Sequence, residues 1–294
     1  MAAPPFPPQP PFEMPPARTL LVPGHGELFL RDSRGDGPPV MLLHGWMASA
    51  DLNWCGAYGA LIDAGYRVLA IDHRGHGRGL RPLVRFRLTD CAADAAAALR
   101  TLGLAPALVV GYSMGGAIGW GLAKYYPERV TSLIIGGYWA QDLDPSLAKD
   151  PEEQEYRRTL RKGKDAVTKA FIKDLKKEKK TLQKPAVLNR LRPYRLRAAA
   201  EQDPKAVLAF DATLFKERLH MVDLLPRLTI PCLLFAGEKD MIFEGAKKAC
   251  ALLRHGRFIS FPGLGHMETW ARLDLALPPV LKFVNDVDRG VLIK

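Results

Sequence analysis

Cysteine is scarce in this chain of 294 residues: Cys55, Cys91, Cys232 and Cys250 stand far apart, and no two form a C-x-x-C pair. That spacing argues against a disulfide framework or a zinc site. Reduced, buried thiols in a cytoplasmic protein are expected instead. The first residues lack the basic start and apolar run of a signal peptide. Long uncharged stretches are missing too, with the exception of Leu102–Ala123, which carries Gly103, Pro106 and glycines at 111, 115, 116, 119 and 121. A spanning helix needs about 18 or more predominantly apolar residues. Glycine and proline at this density read instead as a buried strand, a sharp turn and a buried helix, so no transmembrane segment is expected. What remains is ordinary for a globular protein: 48% hydrophobic and 25% charged residues, in a chain long enough to bury a substantial core.

Proline is concentrated at one end. Residues 4–16 hold eight prolines, and proline cannot donate to a ladder, so residues 1–18 are expected to form an extended, disordered tail. Beyond it, Gly26–Asp32 alternates like a strand exposed on one face. Val40–Leu43, Arg67–Ile71, Ala107–Val110, Val130–Ile135, Pro231–Ala236 and Arg257–Phe261 are compact apolar runs suited to buried parallel strands. Between them Asn53–Ala64, Thr89–Leu102, Met114–Tyr125, Glu244–Arg254 and Leu275–Val287 are helix-compatible, with Thr89 a candidate cap. Alternation of this kind predicts an α/β fold with a mostly parallel, doubly wound sheet.

The rhythm breaks across residues 138–225, which are polar and helix-prone. Residues 149–200 alone hold 17 Lys+Arg against 7 Asp+Glu, in a chain of net charge +11. Val167, Ala170, Phe171 and Leu175 fall at helical spacing among lysines. The reading is a basic helical cap, 138–225, inserted after the sixth strand into a core made of 19–137 and 226–294. Its charge suits a solvated lid, the steering of an anionic ester, or weak contact with an acidic surface. Nothing resembling a nucleic-acid-reading fold accompanies it, so no specific nucleic-acid partner is expected.

Chemistry is concentrated in four segments. Gly111-Tyr112-Ser113-Met114-Gly115-Gly116 follows a strand-like run and precedes a helix. The glycines leave room for a strained turn that lifts the serine oxygen clear of the backbone, and the helix aims its first amides at developing negative charge. Alone, the same pattern also suits a glycine-rich turn with a spectator serine. His44-Gly45-Trp46 ends another strand and can set the Trp46 amide opposite that of Met114, as an oxyanion hole requires. Asp240 follows the run Leu233–Ala236, and Gly263-Leu264-Gly265-His266 follows the last strand. Asp142 and Asp144 are alternative acids; His73 and His76 are the rivals to His266. Trp46, Met47, Trp54, Tyr112, Met114, Tyr138, Trp139 and Met267 adjoin the motifs and are candidate pocket liners.

Taken together, these segments resemble the α/β-hydrolase family, in particular its capped esterase and perhydrolase-like members. Asp72-His73-Arg74-Gly75-His76-Gly77-Arg78-Gly79 resembles that family's loop after the next strand, and the likeness runs from about residue 24 to 283. The resemblance implies a serine hydrolase with Ser113 as nucleophile, His266 as general base and acid, and Asp240 as orienting carboxylate. It further implies the Trp46 and Met114 amides as oxyanion donors, a small-molecule ester or acyl substrate, and neither cofactor nor metal. Carbon–carbon bond hydrolysis, acyl transfer and perhydrolysis fit the same residues, as does, less well, a non-catalytic binding protein. Serine at 113 argues against epoxide hydrolase or haloalkane dehalogenase chemistry, for which the family uses aspartate.

Overall fold

The structure, a computed structural model, describes residues 12–82, 84–104, 106–140, 149, 151–181, 185–201, 203–214, 217 and 219–291. Among these residues, eight strands form one sheet in the order β1-β2-β4-β3-β5-β6-β7-β8. These are β1 (Ala17–Val22), β2 (Gly26–Asp32), β3 (Pro39–Leu43), β4 (Arg67–Ile71), β5 (Ala107–Tyr112), β6 (Val130–Gly136), β7 (Cys232–Gly237) and β8 (Gly256–Phe261). The β1–β2 and β2–β4 pairs are antiparallel, and every other pair is parallel.

The two faces of the sheet follow from the two-residue period of a strand. Met41, Leu43, Leu69, Ile71, Val109 and Ile135 point to one face, covered by α3 (Leu88–Thr101) and α4 (Met114–Tyr125). Val40, Leu42, Val68, Ala70, Leu108 and Val110 point to the other, covered by α1 (Ala50–Trp54) and α2 (Tyr58–Asp63). Burial on both sides explains why these strands read as continuous apolar runs. All four cysteines are free and buried. Among the described residues no helix is long and apolar enough to cross a membrane.

Among the described residues, four α-helices lie between β6 and β7: α5 (Pro151–Arg161), α6 (Lys164–Thr181), α7 (Pro185–Glu201) and α8 (Pro204–Leu214). On the expected apolar seam, Val167 is buried and Ala170 half-buried; the side chains of Phe171 and Leu175 lie outside the described set. Val167 joins Leu160 and Val207 in a small apolar cluster that also takes in Trp46 and Met47. The insertion is thus held on the core beside the His44-Gly45-Trp46 loop. The chain returns to the core through β7, α9 (Phe243–Ala251), β8, α10 (His266–Ala271) and α11 (Leu273–Asp288).

Three expectations about local structure are corrected. The proline-rich segment is ordered from residue 12 onwards, with residues 1–11 outside the described set. Pro15 is buried, the Pro16 carbonyl accepts the Asp32 amide at 3.0 Å, and Phe12 meets the Tyr194 ring of α7 at 6.0 Å. Residues 17–18, expected in the tail, open β1, where proline gives way to alternating residues that can pair. The helix expected over 53–64 is two helices, the first starting at Ala50 with Ser49 as its cap. Thr89 caps nothing: the Leu88 and Thr89 amides donate to the carboxylate of Glu217, 129 and 128 residues away. An acidic side chain from distant sequence suits a helix N-terminus as well as a local cap does.

Candidate active site

The centre of the site is the turn from β5 into α4. Every residue of β5 is buried, so its end is held rigidly. Ser113 follows at φ 54°, a left-handed conformation that a serine adopts only at a cost of order 1 kcal/mol or more. The turn exists because its neighbours are glycines. A Cβ on Gly111 would collide with the Gly115 carbonyl, and one on Gly115 with the Leu43 carbonyl. The Ser113 amide donates to the Gly136 carbonyl at 2.8 Å, locking the turn to β6. Ser113 itself is half-buried at the head of α4.

Two other strand ends converge there. Asp240 lies just past β7, its carboxylate fully buried, with Oδ1 accepting the Ile242 amide at 3.2 Å. His266 begins α10, after β8. Its Nδ1 is 2.7 Å from Asp240 Oδ2 and its Nε2 is 3.1 Å from Ser113 Oγ. A hydroxyl, an imidazole and a carboxylate thus form one hydrogen-bonded chain from residues 153 and 26 positions apart. Asp142 and Asp144, the alternative acids, lie outside the described residues. His73 and His76 are buried elsewhere, within the loop after β4.

Beside the serine, β3 runs into His44-Gly45-Trp46. His44 Nε2 accepts the His73 amide at 3.0 Å, so its Nδ1 carries the proton and donates to the Gly45 carbonyl at 2.7 Å. The Gly45 amide donates to Asn53 Oδ1 at 2.8 Å. Neither the Trp46 nor the Met114 amide is engaged in a hydrogen bond among the described residues. Asp72 braces its loop by accepting the Ala50 and Arg78 amides at 2.6 and 2.8 Å.

The buried histidines of the loops after β3 and β4 are coupled to folding. The His44 ring centre is 4.4 Å from that of His73 and 5.5 Å from that of His76. Burial pushes His44 down to about 4, His76 down to about 3, and His73 well below the usual imidazole range. An unfolded chain protonates these rings near pH 6.5 while the folded one does not, so the unfolded state binds more protons as pH falls below that value. Stability is therefore complete above pH 6.5 and is lost progressively towards pH 4, by roughly 3 kcal/mol for His44 alone at 1.36 kcal/mol per pH unit. Urea unfolding at pH 7.5 and 4.5 measures this; an unchanged midpoint would contradict it.

The pocket candidates separate. Met47, at φ 60°, and Trp46 lie half-buried against the insertion: the Tyr156 hydroxyl donates to the Met47 sulfur, and the Tyr156 and Trp46 rings meet edge to face at 5.1 Å. Met267 is 45% exposed beside His266, and Tyr138 packs half-buried over Gly116. Trp54 is buried in the core instead, and Trp139 packs its ring on Gly245 of α9. Tyr112, expected against substrate, is 3% exposed and donates its hydroxyl to the His266 carbonyl at 2.6 Å. It braces the histidine from behind.

Two contributions are not among the residues that the sequence singles out. Asn53 lies in a stretch that reads only as helix. Gly137, at φ 60°, lies where a Cβ would fall 2.9 Å from the Tyr112 hydroxyl and 3.0 Å from His266 Cε1; Gly136-Gly137 after a strand is the available signal. Gly137→Ala is expected to lower stability by about 2–4 kcal/mol from left-handed strain and overpacking. If the His266 imidazole is the base, its displacement is also expected to lower turnover by roughly tenfold or more. Thermal unfolding and ester kinetics on the variant check both effects.

Among the described residues no three His, Cys, Asp or Glu side chains are grouped to hold a metal ion. A family model described as the alpha/beta hydrolase fold matches residues 38–270. The chain is 28% identical to a non-heme haloperoxidase of Rhodococcus erythropolis, covering 88% of this chain and 96% of that protein. It is 27% identical to a bifunctional esterase/perhydrolase of Acinetobacter calcoaceticus, with the same coverage. In structure it resembles a thermophilic esterase from Thermogutta terrifontis, with TM-score 0.75, 23% identity, and 92% and 99% of the two chains covered.

Proposed function

The chain belongs to the alpha/beta hydrolase fold family, and from that premise we propose that it is a serine hydrolase cleaving a carboxylic ester, or a related acyl compound, through an acyl-enzyme. The observation that carries this reading is the continuous chain Ser113 Oγ–His266 Nε2 and His266 Nδ1–Asp240 Oδ2, at 3.1 and 2.7 Å. A serine hydroxyl is a poor nucleophile until a neighbouring imidazole takes its proton. In this reading His266 accepts the Ser113 proton as Oγ attacks the carbonyl carbon. Asp240 holds the imidazole in the tautomer that leaves Nε2 free and stabilises the imidazolium that forms. The carbonyl oxygen becomes an oxyanion facing the Trp46 and Met114 amides, each such donor contributing about 3–4 kcal/mol in the transition state. His266 then gives its proton to the leaving alcohol, and in the second half activates the water that releases the acid.

The half-buried Trp46 and Met47, packed against the insertion, and the half-buried Tyr138 over Gly116 support an apolar acyl or aromatic group in the substrate. Four free, buried cysteines support a reducing, cytoplasmic setting. The positive excess of residues 149–200 supports attraction of an anionic substrate or an acidic surface. A fluorophosphonate probe is expected to label the protein at Ser113, mapped by peptide mass, and a panel of p-nitrophenyl esters of increasing chain length to be hydrolysed. Labelling at any other residue sinks the assignment. A second reading, perhydrolysis, is favoured by relatives that match over nearly their whole length and are named haloperoxidase and esterase/perhydrolase. There hydrogen peroxide replaces water as acceptor of the acyl group, and peroxyacid formed from acid and peroxide would distinguish it.

A further inference from the structure

Resting on the reading of Ser113, Trp46 and Met114 given above, we propose that Asn53 is a positioning residue of the oxyanion hole. It sets the backbone of the Gly45–Trp46 loop through its side chain and ties that loop to the helix that carries His266.

The argument starts from the two peptide planes on either side of Gly45. A peptide unit is planar and trans, so its C=O and its N–H point in opposite directions. The plane that ends in the Trp46 N–H begins with the Gly45 carbonyl, which accepts from His44 Nδ1 at 2.7 Å and from the Ala48 amide at 3.3 Å. The plane before it ends in the Gly45 N–H, which donates to Asn53 Oδ1 at 2.8 Å. Between the planes lie only the φ and ψ of a glycine, the residue with the widest backbone freedom. Anchoring one plane would let the other swing; anchoring both fixes the direction of the Trp46 amide. The loop passes close to the nucleophile, since a Cβ built on Gly45 would lie 3.4 Å from Ser113 Cβ and 3.5 Å from Asn53 Oδ1.

Asn53 is an awkward choice for packing alone. It is 2% exposed, and its Nδ2 is buried with no hydrogen-bond partner among the described residues. An unpaired buried amide is costly, and a leucine of similar shape would avoid that cost. What asparagine supplies and leucine cannot is an acceptor for the Gly45 N–H. Its main-chain carbonyl meanwhile accepts the Trp270 indole N–H at 3.3 Å, one helical turn beyond His266 on α10. One residue of α1 therefore touches both the loop that would receive the oxyanion and the helix that presents the base.

The test compares full-length wild type with Asn53→Leu, Asn53→Asp and Ser113→Ala, using p-nitrophenyl butyrate kinetics, the rate of fluorophosphonate labelling and thermal unfolding. Asn53→Leu is expected to lower kcat by roughly 10²-fold with KM within about threefold of wild type, and to slow labelling in step. Asn53→Asp, which keeps an oxygen acceptor for the Gly45 N–H, is expected to regain about tenfold or more over Asn53→Leu. A leucine variant with wild-type kcat overturns the proposal. So does a loss confined to KM, an aspartate variant no better than leucine, or the failure of both variants to fold. Failure of the parent reading looks different: label persisting in Ser113→Ala condemns the nucleophile. Label lost there but acquired by Asn53→Leu at the wild-type rate condemns only the role of Asn53.

Discussion

Replacing Ser113 with alanine is expected to lower kcat for a p-nitrophenyl ester by roughly 10⁵–10⁶-fold, leaving KM and the unfolding temperature near wild type. The size of the effect follows from what the hydroxyl does. Without Oγ no acyl-enzyme forms, and His266, 3.1 Å from the missing oxygen, has no proton to take. The residual rate would come from the oxyanion amides and from substrate binding, which persist in the variant. Stability is expected to hold because Ser113 is half-buried and its backbone bonds, to Gly136 and from Gly116 and Ala117, do not involve the side chain. Alanine keeps the left-handed φ no less easily than serine does. Steady-state kinetics with active-site titration decides it, and activity within about tenfold of wild type would move the nucleophile elsewhere.

Asp240→Asn is expected to cost roughly 10⁴-fold in kcat, more than any change in the pocket. The carboxylate is fully buried, accepts the Ile242 amide at 3.2 Å and meets His266 Nδ1 at 2.7 Å. An asparagine of the same shape can turn its NH₂ towards Nδ1, and the imidazole then carries its proton on Nε2, facing the serine. The ring stays in place but is in the wrong tautomer to act as a base. It also loses the negative charge that stabilises the imidazolium. Near-normal turnover by the Asp240→Asn variant would show that the acid lies elsewhere, and Asp142 and Asp144 would then be the residues to replace.

Much of the architecture is legible in the sequence because it is written at short range. β2 and β4 begin and end where their apolar patterns do, and α4 spans the helix-compatible stretch after Ser113. The Gly-x-Ser-x-Gly turn is legible for the same reason: a left-handed serine needs small neighbours within two residues, so cause and consequence sit in one pentapeptide. The chain order serine, aspartate, histidine is equally readable, since each lies just past an apolar strand.

What cannot be read involves partners far apart along the chain. Glu217 caps α3 across 128 residues, Tyr112 reaches the carbonyl of His266 across 154, and Phe12 meets Tyr194. Tyr112 reads as a pocket liner because it adjoins the serine; strand alternation instead buries its ring at 3% exposure behind the histidine. Trp139 adjoins the same site in sequence but lies beyond the end of β6 and packs its ring on Gly245 of α9. Adjacency in sequence does not tell which way a side chain faces.

The amino-acid sequence by itself determined β2 to β8, the core helices α3, α4, α9 and α11 and the strained serine turn, because periodicity and glycine placement act over a few residues. Only the tertiary structure decided that the serine, imidazole and carboxylate meet, that Asn53 holds the Gly45 amide, and that the buried rings of His73 and His76 lie against that of His44. Those contacts depend on how parallel strand ends are brought to one edge of the sheet, a property of the whole chain path and of no segment within it.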